Sequence, residues 1–214
     1  MRAFTGLSRI FLKTFKRSKG EEDTLPQIER RLFFATNNQH KIMEAQQILS
    51  EFEIAIERIR TKKVEIQADK LEDIVSFALK QIEAKNKPIV IEDSGLFIAA
   101  LNDFPGPYSS FVFKKIGCDG ILKLMEGKSQ RNARFISVIG YKDDKEEVIF
   151  KGEIHGMISL NKIGRLGFGF DPIFIPEGSK QTFAEMKMSE KNRVSHRGRA
   201  LRTLGKWLQT TKYI

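Results

Sequence analysis

From Arg31 onwards, apolar and polar residues are spaced in blocks that predict strands and helices in turn. Short apolar runs or period-two patterns predict strands at 32–35, 52–59, 88–91, 133–141 and 146–155. Helical spacing predicts helices after Asn38, a suitable N-cap, and over 71–86, 108–125 and 189–209, with breaks at Gly117 and near Ser195. Alternating elements followed by paired strands predict an α/β fold with a mixed sheet.

The first 30 residues differ from the rest, because apolar residues at helical spacing lie among basic ones and no acid precedes residue 21. This pattern is typical of a membrane-surface helix, of an organellar targeting peptide or of an extension without function. We expect a poorly ordered basic extension over 1–30, in which 20–26 form a linker to one globular domain over 31–214.

The composition fits a single globular domain, with 41% hydrophobic residues in a chain of 214. No apolar run approaches the roughly 18 residues of a membrane-spanning helix, and no secretory signal is evident. Cys118 is the only cysteine, which excludes an intrachain disulfide and a cysteine-rich zinc site. We therefore expect a cytoplasmic protein in which Cys118, in a turn between helices, has a structural role.

A formal net charge of +10 favours an anionic partner. Six of these charges come from residues 1–20, so the globular part is only modestly basic. Such a surface suits a small polyanionic substrate as well as it suits DNA or RNA.

The turn at 36–41, Thr-Asn-Asn-Gln-His-Lys, joins the first strand to the first helix. Free N–H groups at a helix N-terminus attract phosphate, and Thr36, Asn37 and Lys41 add donors and a positive charge. The turn is not a P-loop, because the Gly-x4-Gly-Lys-Ser/Thr pattern is missing. A capped helix start with a solvent-facing lysine is the structural alternative.

Two acids, Glu92 and Asp93, follow the apolar run at 88–91 and are expected to end that strand. In open α/β sheets, the carboxyl ends of strands border the ligand crevice. Successive strand residues point to opposite sides, so we expect one acid to reach a metal or a water while the other is structural. Mg²⁺ prefers such oxygen ligands and takes few from protein. An ordinary acidic turn is the alternative.

Glycine and phenylalanine alternate at 167–170, in a glycine-rich loop that leads into Asp171 and a proline. Glycines let backbone approach a flat ligand closely, and Phe168 or Phe170 is suited to stack on a base. Asp171, which the following proline is expected to hold extended, is suited to accept a hydrogen bond from a ring N–H. A β-turn with core phenylalanines is the alternative.

Four basic side chains, Lys191, Arg193, His196 and Arg197, lie close together in sequence around the start of the last long helix. Such a cluster suits a triphosphate and the acceptor atoms of a purine. The spacing shows no Ser-His-acid triad. A solvated basic face is the structural alternative.

Six motifs, in order over residues 31–209, resemble the inosine triphosphate pyrophosphatase family, the non-canonical purine NTP pyrophosphatases. The matching segments are 36–41, 92–96, 105–108, 168–172, 183–186 and 190–197. The resemblance implies an elongated mixed central sheet with two lobes flanked by helices and an active-site cleft between them. It also implies Mg²⁺-dependent hydrolysis of ITP, dITP and XTP between the α- and β-phosphates, usually by a homodimer.

Residue roles carried over from this resemblance make Asp93 the catalytic base, with Glu65 and Asp93 as the magnesium carboxylates. The resemblance implies substrate contacts from the turn and its neighbours: Thr36, Asn37, Asn38, Gln39, His40, Lys41, Ser94 and, for phosphate, Lys191. It implies a base pocket formed by Phe168, Gly169, Phe170, Asp171, His196 and Arg197. We further hypothesise that His196 and Arg197 select the base by donating to its 6-oxo group.

The sequence departs from the family pattern at one position, because Phe77 stands where some members have a lysine that reaches the active site. Either that role is absent or Lys80, one turn later, performs it. The residues around Glu65 also match the family loosely.

Two other functions remain open from the sequence. One is a pyrophosphatase that acts on modified pyrimidine triphosphates with a similar fold. The other is a nucleic-acid-binding protein, which the two carboxylates disfavour because they would repel a phosphate backbone unless metallated. We expect no nucleic-acid partner.

Overall fold

A computed structural model describes residues 30–59, 66–85 and 87–211 of the chain. Its strands are β1 (Arg30–Ala35), β2 (Ile54–Ile59), β3 (Ile89–Ile98), β4 (Pro105–Gly106), β5 (Asn132–Lys142), β6 (Glu147–Ile158) and β7 (Phe174–Pro176). Its helices are α1 (Gln39–Leu49), α2 (Leu71–Lys80), α3 (Ser109–Leu124), α4 (Met188–Val194) and α5 (His196–Thr211). The expected extension before residue 30, its linker and Glu65 lie outside the described residues.

The strands form one mixed sheet in the order β2-β1-β3-β5-β6-β7, with β4 paired to β3. β1 is parallel to β2 and to β3, whereas the pairs β3–β5, β5–β6 and β6–β7 are antiparallel. The mixed α/β class predicted from the sequence is confirmed. Within the described ranges, no helix is long and apolar enough to cross a membrane.

Helices cover both faces of the sheet. α1 and α5 pack on one face, where Val90 of β3 joins a core that includes Leu32 and Tyr141. α2 packs on the other, with Ile89 and Ile91 of β3 in its core. Side chains alternate along β3, so Glu92 points to the α1/α5 face and Asp93 to the α2 face.

Most predicted elements are confirmed, including the Asn38 cap, whose side chain accepts from the amides of His40 and Lys41. The predicted breaks are present at Gly117, which has φ 60° inside α3, and at Ser195, which separates α4 from α5. The helix predicted over 71–86 ends at Lys80, and β2 begins at Ile54 rather than at residue 52.

The expectation that Glu92 and Asp93 end their strand is wrong, because β3 continues to Ile98. β5 pairs with β3 along its whole length, and this pairing keeps the acidic segment extended. On the other edge, the β1 pairing with β3 ends at Phe34–Val90. The two acids therefore lie in mid-strand, just beyond the point where the parallel neighbour stops.

Cys118 lies in α3 directly after the kink at Gly117, rather than in a turn between two separate helices. The thiol is buried, and its Sγ lies 3.5 Å from the carbonyl oxygen of Gly169. Burial raises the pKa of Cys118 to about 11. The thiolate is the reactive form, so these surroundings favour an inert thiol.

We expect Cys118 to react slowly with a thiol reagent such as DTNB while the protein is folded. A thiol whose pKa is raised to about 11 is almost entirely protonated near neutral pH, so little of the reactive thiolate is present. Because the chain has one cysteine, the absorbance change reports this thiol alone. Reaction in guanidinium chloride is the control, and equal rates in the folded and unfolded states would contradict the structural role.

Candidate active site

Three of the four motifs that the sequence singled out meet at the middle of β3. Lys41 of α1 places its Nζ 3.4 Å from the Glu92 carbonyl oxygen and 3.5 Å from Glu92 Oε2. Arg197 of α5 contacts the side chains of both Glu92 and Ser94. The phosphate-binding candidate, the acidic segment and the basic cluster therefore share one location.

The turn before α1 is ordered by its own side chains. Asn38 Oδ1 accepts from the amides of His40 and Lys41 at 2.9 and 3.4 Å, and Thr36 Oγ1 accepts from the Asn38 amide. Asn37 is exposed, and its Oδ1 accepts from Arg58. The capped helix start is thus present, and Lys41 turns inwards to Glu92 rather than to solvent. Phosphate binding at this turn stays a prediction.

Arg197 is the centre of a buried charge network on the α1/α5 face. Only 1% of the residue is exposed. Its Nε donates to both oxygens of Glu92, at 2.9 and 3.0 Å, and one terminal nitrogen donates to Glu44. The other terminal nitrogen donates to Ser94 Oγ at 3.2 Å. Such forked, charge-assisted contacts fix the guanidinium in one orientation.

Lys191 of α4 extends the network towards the glycine-rich loop. Its Nζ is 2.9 Å from Glu44 Oε1 and 2.6 Å from Asp171 Oδ2, and the residue is 2% exposed. The alternative of a solvated basic face is therefore wrong for Lys191, His196 and Arg197, which are all buried. Arg193 alone of the four basic side chains is exposed.

Glu44 is a central member of the network that sequence reasoning missed. Its two carboxylate oxygens accept from Lys191 and Arg197, and the residue is 3% exposed. It lies one helical turn from Lys41 and Ile48, on the face of α1 that packs into the core. An acid on a buried helical face needs a charged partner, and that signal was present in the sequence.

The network keeps the carboxylates of Glu92 and Glu44 ionised. Burial alone would raise the pKa of Glu92, but Arg197 and Lys41 outweigh it and hold the pKa well below its usual range. Burial would also raise the pKa of Glu44, but the positive charges of Arg197 and Lys191 outweigh burial and lower that pKa. Burial would lower the pKa of Arg197, yet the two carboxylates raise it.

Asp171 shapes the glycine-rich loop. Its Oδ2 accepts from the Phe168 amide at 2.8 Å as well as from Lys191, and burial raises its pKa above the usual value. The extended conformation expected for Asp171 is wrong, because the residue begins a short 3₁₀ turn that points its carboxylate back at its own loop. Gly167 has φ 72°, and a Cβ there would lie 2.1 Å from that carboxylate.

The two phenylalanines of the loop have different environments. Phe170 is 3% exposed and packs edge-on against Phe113, so it belongs to the core. Phe168 is half-buried, and its ring is 4.9 Å from that of His40, with the two planes 14° apart. Phe168 is therefore the ring of this pair that is suited to stack on a base.

His196 begins α5 and is fully enclosed. Its ring stacks on Phe135 with 4.7 Å between centroids, and burial lowers its pKa well below the usual value. The imidazole is therefore neutral near pH 7. Among the described residues, Nδ1 of His196 has no hydrogen-bond partner. A buried polar atom of this kind is suited to meet a polar atom of a ligand.

Asp93 is half-buried on the α2 face, and its Oδ1 accepts from the Ser94 amide at 2.9 Å. No group of three or more potential ligand side chains occurs in the described part of the chain. Mg²⁺ usually keeps several waters and takes one or two carboxylates with substrate phosphates, so a single carboxylate here fits that ion. Phe77 is half-buried on α2, and Lys80 is exposed in the last turn of that helix. A role of Lys80 in place of the lysine that some family members have at the position of Phe77 stays a prediction.

The fold and the site together define an α/β protein with a buried charge network beside an aromatic platform. The chain belongs to the Ham1 family, whose model matches residues 32–207. It is 51% identical over 180 residues to a dITP/XTP pyrophosphatase from Pyrococcus horikoshii, covering 84% of this chain and 97% of that protein. It is 49% identical over 179 residues to a dITP/XTP pyrophosphatase from Methanopyrus kandleri, covering 83% and 95%.

Solved structures agree with this assignment. A HAM1 protein from Coxiella burnetii is 31% identical, with a TM-score of 0.73, and the match covers 84% of this chain and 98% of that one. The Ham1 protein of Staphylococcus aureus is 28% identical, also with a TM-score of 0.73, over 85% of this chain. The family resemblance drawn from the six motifs is confirmed.

Proposed function

We propose that this protein hydrolyses non-canonical purine nucleoside triphosphates, namely ITP, dITP and XTP, to the monophosphate and pyrophosphate. The observation that carries the proposal is the meeting of the turn at 36–41, the acidic strand, the Phe168 loop and Arg197 at one site. The names of the relatives from Pyrococcus and Methanopyrus support the substrate class.

Asp93 is the proposed general base. Its carboxylate is half-buried, on the face of β3 opposite Glu92, which Arg197 and Ser137 hold in a structural role. A carboxylate placed there accepts a proton from water as the water attacks the α-phosphate. This division of labour is the one that alternation along the strand predicted for the two acids.

Lys41 is the cation that we propose holds the departing pyrophosphate. Its side chain is 14% exposed, and it stands at the N-terminal end of α1 beside the Glu92–Asp93 peptide. Thr36, Asn37 and the helix N-terminus add donors. Lys191 uses two of its three ammonium N–H groups on Glu44 and Asp171, which leaves one to donate to a phosphate.

We propose that Arg197 and His196 recognise the 6-oxo group of the base. The contacts of Arg197 use three of its five N–H groups, so two remain to donate to a ligand. His196 is neutral, and its buried Nδ1 has no hydrogen-bond partner within the described ranges. Adenine presents an amine at this position, and two facing donors would cost on the order of 1–3 kcal/mol.

Family members with this activity need a divalent metal, and we propose Mg²⁺ for this chain. Asp93, together with Glu65 from outside the described residues, would hold it. A bound divalent ion supplies charge neutralisation at the phosphate oxygens. The homodimer and the cytoplasmic location also stay predictions.

The proposal predicts pyrophosphate release from ITP and XTP at least tenfold faster than from GTP or ATP. Release is measured with Mg²⁺ for each substrate at the same concentration, and EDTA is expected to stop it. Modified pyrimidine triphosphates complete the panel. Turnover of the modified pyrimidine triphosphates alone would show that they, and not non-canonical purines, are the substrates. No turnover of any triphosphate, together with salt-sensitive binding of oligonucleotides, would show that the protein binds nucleic acid instead.

A further inference from the structure

The ring of His40 lies on the ring of Phe168. The centroids are 4.9 Å apart and the planes differ by 14°, which is an offset-stacked pair. His40 is the second residue of α1 and is exposed, whereas Phe168 comes from a loop more than a hundred residues away. This pair is a direct contact between the phosphate-binding candidate and the proposed base pocket.

The inner side of Phe168 is already occupied. Lys191 Nζ lies 4.7 Å from the ring centroid and the Arg197 guanidinium 5.4 Å from it, and both residues are at most 2% exposed. Lys191 also lies over Phe183 of the core. A ligand from solvent therefore reaches Phe168 from the side that His40 covers.

A base cannot fit between the two rings at their present spacing. A flat ring with a contact of about 3.5 Å on each side needs about 7 Å between the outer rings. Phe168 stands between Gly167 and Gly169, with φ of 72° and 62°, and a Cβ on Gly169 would meet no atom within 4 Å. Glycines on both sides give this loop backbone freedom that other residues lack.

We propose that His40 is the outer wall of the base subsite, so that the base enters between His40 and Phe168 and stacks on both rings. This inference rests on the proposed function and deepens it. The side chain of His40 thereby contributes to binding the base, whereas Lys41, the next residue, contributes to binding phosphate. The two rings, already nearly parallel, need to open to about 7 Å along their normal, which is about 3.5 Å more than the contact spacing of a stacked pair.

The experiment compares binding of a ligand with a base to binding of a ligand without one. The probes are the α,β-methylene analogue of ITP, which cannot be cleaved at the α–β bond, and inorganic tripolyphosphate, both measured by calorimetry with Mg²⁺. The variants are His40→Ala and His40→Phe. Gln46→Ala, at an exposed position on α1 six residues after His40, is the matched control.

We expect His40→Ala to weaken binding of the ITP analogue about tenfold and to leave tripolyphosphate binding within twofold. His40→Phe is expected to restore binding of the analogue to within about threefold of wild type. Unchanged or tighter binding of the analogue by His40→Ala would overturn the proposal, as would equal weakening of both probes.

The failure of this inference is distinguishable from failure of the proposed function. If wild type cleaves ITP and His40→Ala binds the analogue as wild type does, only the role of His40 is overturned. If wild type binds the analogue but releases no pyrophosphate, the hydrolase assignment fails and the binding comparison still decides the role of His40. If wild type neither binds the analogue nor cleaves ITP, both are overturned.

Discussion

Asp93→Asn is expected to lower the turnover of ITP roughly 10²- to 10⁴-fold. The substitution removes the charge that accepts the proton and that would hold the metal, while the amide oxygen can still accept from the Ser94 amide. The fold is therefore expected to remain, with an unfolding midpoint close to that of wild type. Pyrophosphate release at saturating ITP measures the effect.

Asp119→Asn is a matched control, because Asp119 is an exposed acid whose carboxylate is paired with Lys162 on the surface. Its turnover is expected to stay within twofold of wild type. A rate for Asp93→Asn above a tenth of the wild-type rate would show that Asp93 is not the base. Glu65 would then be the candidate for the general base.

Arg197→Ala is expected to cost about 3–5 kcal/mol of the free energy of unfolding. The change leaves Glu92 with only Lys41 and Ser137 as partners and Glu44 with only Lys191 among the contacts described above. A buried carboxylate without its counter-ion is costly, and the whole folded state of a domain is worth only about 5–15 kcal/mol. Urea denaturation at pH 8 measures the loss.

The free energy of unfolding that Arg197→Ala loses is expected to become smaller as the pH falls from 8 towards 5. In wild type, the lowered pKa values of Glu44 and Glu92 give stability that is present above their unfolded pKa and lost only when the pH falls to their folded values. Without Arg197, burial raises those folded values, so the carboxyls take up protons in the folded state first. A pH-independent loss would contradict this account.

Two controls separate charge from packing. Lys162→Ala breaks an exposed ion pair with Asp119 and is expected to leave the unfolding midpoint in urea close to that of wild type. The double variant Arg197→Ala with Glu92→Gln removes one of the stranded charges. We expect it to be more stable than Arg197→Ala alone, and a strictly additive loss would show that the two residues are not coupled.

The sequence by itself determined the elements and the list of candidate groups. Local patterns located the strands, the Asn38 cap and the breaks at Gly117 and Ser195, because caps, glycine conformations and apolar spacing depend on neighbouring residues. Alternation along a strand also predicted that Glu92 and Asp93 point to opposite faces of the sheet. The six ordered motifs identified the family.

Tertiary structure alone decided which charges are buried and which partners they have. The sequence indicated neither that Glu44 would bridge Lys191 and Arg197 nor that Asp171 would pair with Lys191, since these partners lie 20 to 153 residues apart. The strand predicted from the sequence was shorter than β3, because pairing with β5, and not the local preference of its residues, extends the strand. The His40–Phe168 stack likewise exists only because α1 and a distant loop pack together. Burial and charge pairing are properties of that packing, and no local pattern determines them.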